Sequence, residues 1–177
     1  IKTKIGRGVL EAIGLNLELE NGDVAARCNF ATINEEGIIT DRRAGRIPTE
    51  TTIELCNILK SIKEIDGVEI IIEPGEGHRF VTIFRSKDKK IDSLINDTDP
   101  QIEGKPPLQA NGGNPESDFL AKVVNKFIEE GTRLLKDFPK ANYFLMRGFS
   151  TKPELPSMRQ KYLLESAAIA SYPMYRG

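Results

Sequence analysis

The chain holds one histidine, two cysteines and no tryptophan in 177 residues. A single histidine, His78, is too few for the zinc or two-metal hydrolytic sites in which several His, Asp and Glu side chains converge. A Ser-His-Asp triad would have to use His78, and no serine sits in the glycine-flanked turn that exposes such a nucleophile. Cys28 and Cys56 lie far apart, each within an apolar pattern. They read as buried thiols in a reducing compartment, which points to the cytoplasm and away from a disulfide framework or a zinc site. No apolar run reaches the ~20 residues that cross a bilayer, and no signal peptide opens the chain. Positive charge is not in surplus either. A net charge of -1 and a pI near 6.0 speak against a general nucleic-acid binder, which is normally basic over a whole face. No Walker-type loop is present. The G-x-G at Gly75 and Gly77 lies between two strand patterns with no helix after it, so it is a turn.

What the chain does have is Asp41-Arg42-Arg43-Ala44-Gly45-Arg46. Three guanidinium groups and one carboxylate fall within six residues, just after the apolar pair Ile38-Ile39. Arginine forks match carboxylate and phosphate oxygens two at a time. Glycine between them lets backbone and ligand come close. A solvated, arginine-rich loop is the plainer reading. An upstream strand carrying Arg27 and Asn29 beside the loop favours an anion site.

The chain length suits one domain. Arg7 to Ile13 reads as a short helix ended by Gly14, and Leu15 to Leu19 alternates as a short strand would. Asp23 to Ile33 is a firmer strand, with Val24, Ala26, Cys28 and Phe30 on one face and Arg27 and Asn29 on the other. Asn34 to Gly37 forms a hairpin loop, and Ile38 to about Arg42 returns antiparallel; a loop closing Ile33 against Ile38 brings Arg42 opposite Asn29, and a one-residue bulge would substitute Arg43. Pro48 or Thr49 opens a helix with an apolar stripe of Leu55, Ile58, Leu59 and Ile62, closed by Asp66-Gly67. Residues 68–73 and 79–85 form a second hairpin. Residues 86–117 form a long loop, functional or mobile. Ser117 or Asp118 caps a strong amphipathic helix. Asn142 to Arg147 is a strand ending at Gly148, and Leu155 to Ala170 a last helix. The expected class is α+β, a mainly antiparallel sheet with helices packed on one face, ferredoxin-like in character.

Gly22-Asp23-Val24-Ala25-Ala26-Arg27-Cys28-Asn29-Phe30-Ala31-Thr32 and Asp41-Arg42-Arg43-Ala44-Gly45-Arg46-Ile47 resemble the archaeal-type cofactor-independent phosphoglycerate mutases. So do Gly77-His78-Arg79, Asp97-Thr98-Asp99-Pro100, Leu145-Met146-Arg147-Gly148 and Tyr175-Arg176-Gly177. In that family a substrate-binding domain is inserted into a metal-bearing core of the alkaline phosphatase superfamily. The first residue, Ile1 in place of Met, itself reads as the mark of a piece of a longer protein or a processed product, and the resemblance implies that residues 1–177 are this one inserted domain. It implies interconversion of 3- and 2-phosphoglycerate through a phosphoserine, in glycolysis and gluconeogenesis. The nucleophile and a divalent metal such as Mn or Mg would belong to the core, with no cofactor or metal bound by this domain. The partners implied are the phosphorylated acid and the rest of the same chain, with no nucleic acid and no membrane. Arg27, Asn29, Arg42, Arg43, Arg46, His78, Arg79 and Arg147 would contact substrate, and Asp41 is the candidate proton carrier. Gln101 stands where the family commonly has histidine, and glutamine cannot titrate. Two rivals remain: a homoserine-kinase-like relative, and a stand-alone α+β RNA- or ligand-binding module.

Overall fold

The computed structural model describes residues 6–153 and Tyr175. The expected last helix, and all but Tyr175 of the closing motif, lie outside the described residues. The elements are α1 (Arg7–Gly14), β1 (Val24–Ile33), β2 (Ile39–Asp41), α2 (Thr49–Leu59), β3 (Glu64–Ile65), β4 (Val68–Pro74), β5 (Arg79–Ser86), α3 (Pro115–Leu135) and β6 (Tyr143–Thr151). All strand pairings are antiparallel. The chain order β1–α2–β4–β5–α3–β6, laid out in space as β6–β1–β5–β4, is the ferredoxin-like arrangement. The α+β expectation holds.

The two-residue period of β1 explains why this sheet has two different faces. Val24, Ala26, Cys28 and Phe30 are fully buried on one side. There they meet Leu55 and Leu59 of α2 and Leu120, Val124 and Phe127 of α3. Phe127 packs edge-on against Phe84, with ring centroids 6.2 Å apart, and tilted against Phe144 at 5.1 Å. Cys28 and Cys56 are free thiols within this core. The other face is covered at one end by α1, whose Val9 and Ala12 pack on Ala25, Val81 and Ile83. So α2 and α3 share one face, and the short α1 adds a partial cover to the other. The helix sits very close. A Cβ at Gly8 would come within 2.2 Å of the Ala25 carbonyl oxygen, so only glycine permits this approach.

Several local expectations are corrected. Leu15 to Leu19 is not a strand; Leu15, Leu17 and Leu19 instead pack their side chains on the α1 cluster. Asp66-Gly67 does not end a helix. Both residues have positive φ, 53° and 84°, and they turn the chain from β3 into β4. The cap of α3 is Asn114, not Ser117 or Asp118. Its side chain accepts from the Ser117 amide at 2.8 Å, the Ser117 hydroxyl accepts from the Asn114 amide at 3.0 Å, and Pro115 follows at the first helical position. The strand β6 does not stop at Gly148. That glycine has φ 63°, and the register against β1 shifts between Ala25 and Arg27, so it marks an irregularity within a longer strand.

Candidate functional site

The face opposite α2 and α3 carries a polar stripe between two apolar patches. At one end lie Ala25, Val81 and Ile83 under α1, and at the other Ala31, Ile39 and Leu145. Between them the ladder register places Arg27 opposite Arg147 of β6, and Asn29 opposite Arg79 of β5. Sequence pairing had set Arg42 against Asn29. The structure corrects this: β2 pairs only through Thr32↔Asp41 and Ile33↔Ile39, because the chain leaves the sheet after Asp41. Arg42 reaches the same place through its loop.

These side chains enclose one cavity of about 550 Å³. Arg27, Asn29, Arg79 and Arg147 come from the sheet, Arg42, Arg43 and Arg46 from the loop, and Arg7 from the first turn of α1. His78, Glu76 and Gly77 of the β4–β5 turn complete the wall, with Ile47. Among the described residues, seven arginines thus face a space lined by one carboxylate, Glu76, which is the electrostatic signature of an anion site. The Oδ1 of Asn29 is buried and has no hydrogen-bond partner among the described residues. A buried acceptor in this state is suited to a donor brought by a ligand.

The loop arginines are held by strained backbone. Ala44, Gly45 and Arg46 are all left-handed, with φ 50°, 62° and 54°. Non-glycine residues in that region cost on the order of 1 to 3 kcal/mol each. Asp41 offsets the cost. Its two carboxylate oxygens accept from the Arg43 and Gly45 amides, each at 2.7 Å. Asp41 also stands outside the lining of the arginine cavity, in a neighbouring depression with Glu103. Its visible work is to shape the loop. Asp41→Asn turns one oxygen into an NH2 that faces an amide donor. It is expected to lower kcat/KM of the full-length enzyme roughly tenfold or more, the scale of a lost charge-assisted bond. The pH profile should keep its shape; a lost ionisation limb would instead make Asp41 a proton carrier.

The long loop at 87–114 is pinned along β6. Thr98 exchanges backbone and hydroxyl hydrogen bonds with Met146, and Asp97 accepts from the Gly148 amide at 2.8 Å. This seats Asp99, 2 % exposed, beneath two arginines. Arg42 donates a two-pronged fork to it at 2.9 and 2.6 Å, and Arg147 lies 3.4 Å away. Burial opposes the charge on Asp99. The Arg42 fork, the Gln101 amide and Arg147 outweigh it and hold the carboxyl below its ordinary range. Gln101 itself has φ 63°, is exposed, and gives its backbone amide to Asp99 at 2.8 Å.

His78 is 7 % exposed, and its carbonyl accepts from the Phe30 amide. Burial, with Arg79, Arg43 and Arg27 nearby, pushes its imidazole down to about 4, against a weaker opposing pull from Asp41. It is therefore neutral at pH 7. The unfolded chain binds a proton here near pH 6.5 that the folded chain refuses until about 4. Stability is thus expected to fall as pH drops from 6.5 to about 4 and to level off below, by up to about 3 kcal/mol. His78→Gln should flatten that share of the urea-unfolding profile. An unchanged slope would count against the burial argument.

A family profile described as 2,3-bisphosphoglycerate-independent phosphoglycerate mutase matches residues 1–141. The chain belongs to this family. The mutase family relatives include a probable 2,3-bisphosphoglycerate-independent phosphoglycerate mutase of Aquifex aeolicus, 48% identical over 183 residues, covering 100% of this chain and 45% of the relative. The protein of the same description from Thermotoga maritima is 45% identical over 178 residues, with 100% and 44% coverage. A solved cofactor-independent phosphoglycerate mutase from Thermoplasma acidophilum superposes with a TM-score of 0.75 at 31% identity, over 96% of this chain and 48% of that one. The chain therefore spans under half the length of these mutases.

For a member of the mutase family, sequence reasoning missed Arg7, Glu76, Asp97 and Asp99. Asp97 and Asp99 were part of a motif already noted, but nothing local says that their carboxylates face Arg42 and Arg147. No group of three or more His, Cys, Asp and Glu among the described residues could hold an ion. No described helix is long and apolar enough to cross a membrane.

Proposed function

We propose that this chain is the substrate-gripping domain of a cofactor-independent phosphoglycerate mutase that interconverts 3- and 2-phosphoglycerate in glycolysis and gluconeogenesis, in the cytoplasm. The observation that carries the reading is the convergence of seven arginines and an unsatisfied Asn29 acceptor on one cavity. Phosphoglycerate offers a matching set: two anionic groups for guanidinium forks and a hydroxyl to donate to Asn29. Arg27 and Arg147 are preset side by side on a sheet, so little ordering entropy is lost on binding. Asp99 keeps Arg42 beside them.

In this proposal the phosphoryl group passes to a serine outside this chain, in a core of the alkaline phosphatase superfamily that also holds a divalent metal. The glycerate is held here by its carboxylate and hydroxyls while it turns, and the group returns to the other oxygen. Arginines that keep hold of glycerate, on a domain that closes over the core, would exclude the water that otherwise hydrolyses the phosphorylated enzyme.

The test uses the isolated 177-residue chain and the full-length enzyme side by side. The chain alone is expected to bind 3-phosphoglycerate with an affinity that weakens steeply with added salt, as exposed charge contacts do. It should leave the substrate unchanged, while the full-length enzyme isomerises it. Isomerisation by the chain alone, or turnover of homoserine but not phosphoglycerate by the full-length enzyme, would overturn the assignment.

A further inference from the structure

Glu11 is the least explained charged group in the fold. It lies on α1, and its side chain is fully buried. Neither carboxylate oxygen has a hydrogen-bond partner among the described residues. Among the described residues the cation paired with it is Arg27, with Nε 3.8 Å from Oε2, too far for a hydrogen bond. A buried carboxylate held by charge alone is costly and is not kept for stability. The close seat of α1, which needs glycine at position 8, brings Glu11 against Arg27, a residue of the cavity lining.

We infer that Glu11 is a charge-balancing residue of the anion cavity: it is ionised while the cavity is empty and takes up a proton from solvent when a doubly charged oxyanion binds Arg27 and Arg79. This rests on the reading that the cavity binds anions. The same two arginines that line the cavity are the cations offsetting Glu11, and burial already pushes its carboxyl up against their pull. An anion seated between them adds negative charge on the far side of the guanidiniums, and Glu11 loses its compensation. Glu76, at the cavity wall, pushes in the same direction. The other charged or titratable groups lining the cavity among the described residues are Arg7 on α1 itself, Arg147 on β6, Arg42, Arg43 and Arg46 of the loop, and His78 on the β4–β5 turn. Of these His78 also titrates nearby and needs its own control.

The experiment is titration calorimetry of the full-length enzyme with sulfate, which has no proton of its own to exchange at these pH values. Runs in buffers of different ionisation enthalpy count the protons taken up. Wild type should take up close to one proton per sulfate displaceable by 3-phosphoglycerate. Its Kd should rise by up to tenfold per pH unit above the ordinary carboxylate range. Glu11→Gln should lose the uptake and bind sulfate more tightly than wild type at pH 8, with the gap closing toward pH 5. A merely structural loss would weaken binding at every pH instead. His78→Gln should keep the uptake. Wild type binding sulfate with no proton uptake, or uptake that vanishes in His78→Gln and survives in Glu11→Gln, overturns the inference and leaves the anion site standing. Sulfate that 3-phosphoglycerate does not displace overturns the anion site and the inference with it. If Glu11→Gln does not fold, the wild-type proton count read beside that of His78→Gln decides the matter: uptake kept without His78 supports the inference, and uptake lost with it overturns it.

Discussion

Arg27→Ala in the full-length enzyme is expected to lower kcat/KM for 3-phosphoglycerate by roughly 30- to 5,000-fold, the equivalent of about 2 to 5 kcal/mol. The size follows from desolvation. The Arg27 side chain is only 13% exposed, sits mid-sheet opposite Arg147, and lines the cavity. A guanidinium so placed meets an anion with little water between them. Arg43 is exposed on the loop, so Arg43→Ala should cost less, roughly tenfold, the scale of a solvent-shared charged hydrogen bond. A thermal melt run beside the assay is needed for Arg27, because removing it leaves Glu11 buried without the cation paired with it. Wild-type turnover in both variants would show that the cluster is solvated or structural. Lost turnover in Arg27→Ala with an unfolded melt would place Arg27 in the fold, not the site.

Phe127→Ala is expected to lower unfolding stability by about 3 to 5 kcal/mol, the range for emptying a fully buried aromatic position. Phe127 is 0% exposed and touches rings from two strands, Phe84 of β5 and Phe144 of β6. It ties α3 to the sheet that carries Arg147. The surrounding rings are locked by neighbours, including Gly131, where a Cβ would come within 2.5 Å of Phe144, so the hole cannot close easily. The urea midpoint should drop with little change in slope. A loss below 1 kcal/mol would mean that α3 repacks freely and that the aromatic cluster is not the keystone of the core.

The two largest predictions sit on opposite faces of one sheet, and the reason is legible in β1. Alternation alone places Val24, Cys28 and Phe30 in the core and Arg27 and Asn29 on the other side. A period of two admits no other choice once one face is buried. The arginine-rich loop, the α2 start at Pro48-Thr49 and the β4–β5 hairpin are equally local matters of turn chemistry and periodicity. The length of β6 and the cap of α3 depend on partners further off. Gly148 looks like a stop until β1 runs alongside it, and Asn114 becomes a cap only because Ser117 returns the bond.

By itself the sequence determined which residues are chemically equipped to hold an anion, and which face of each strand they occupy. Propensity, periodicity and side-chain type act within a few residues, and those properties need nothing more. Only the tertiary structure decided who stands beside whom. Arg27 faces Arg147, 120 residues away, because β6 pairs with β1. Asp99 serves Arg42 across 57 residues, and Glu11 lies against Arg27 because α1 folds back onto the sheet. These contacts link segments with no local signal in common. Their partners are chosen by the burial of a shared core, which no short window of sequence contains.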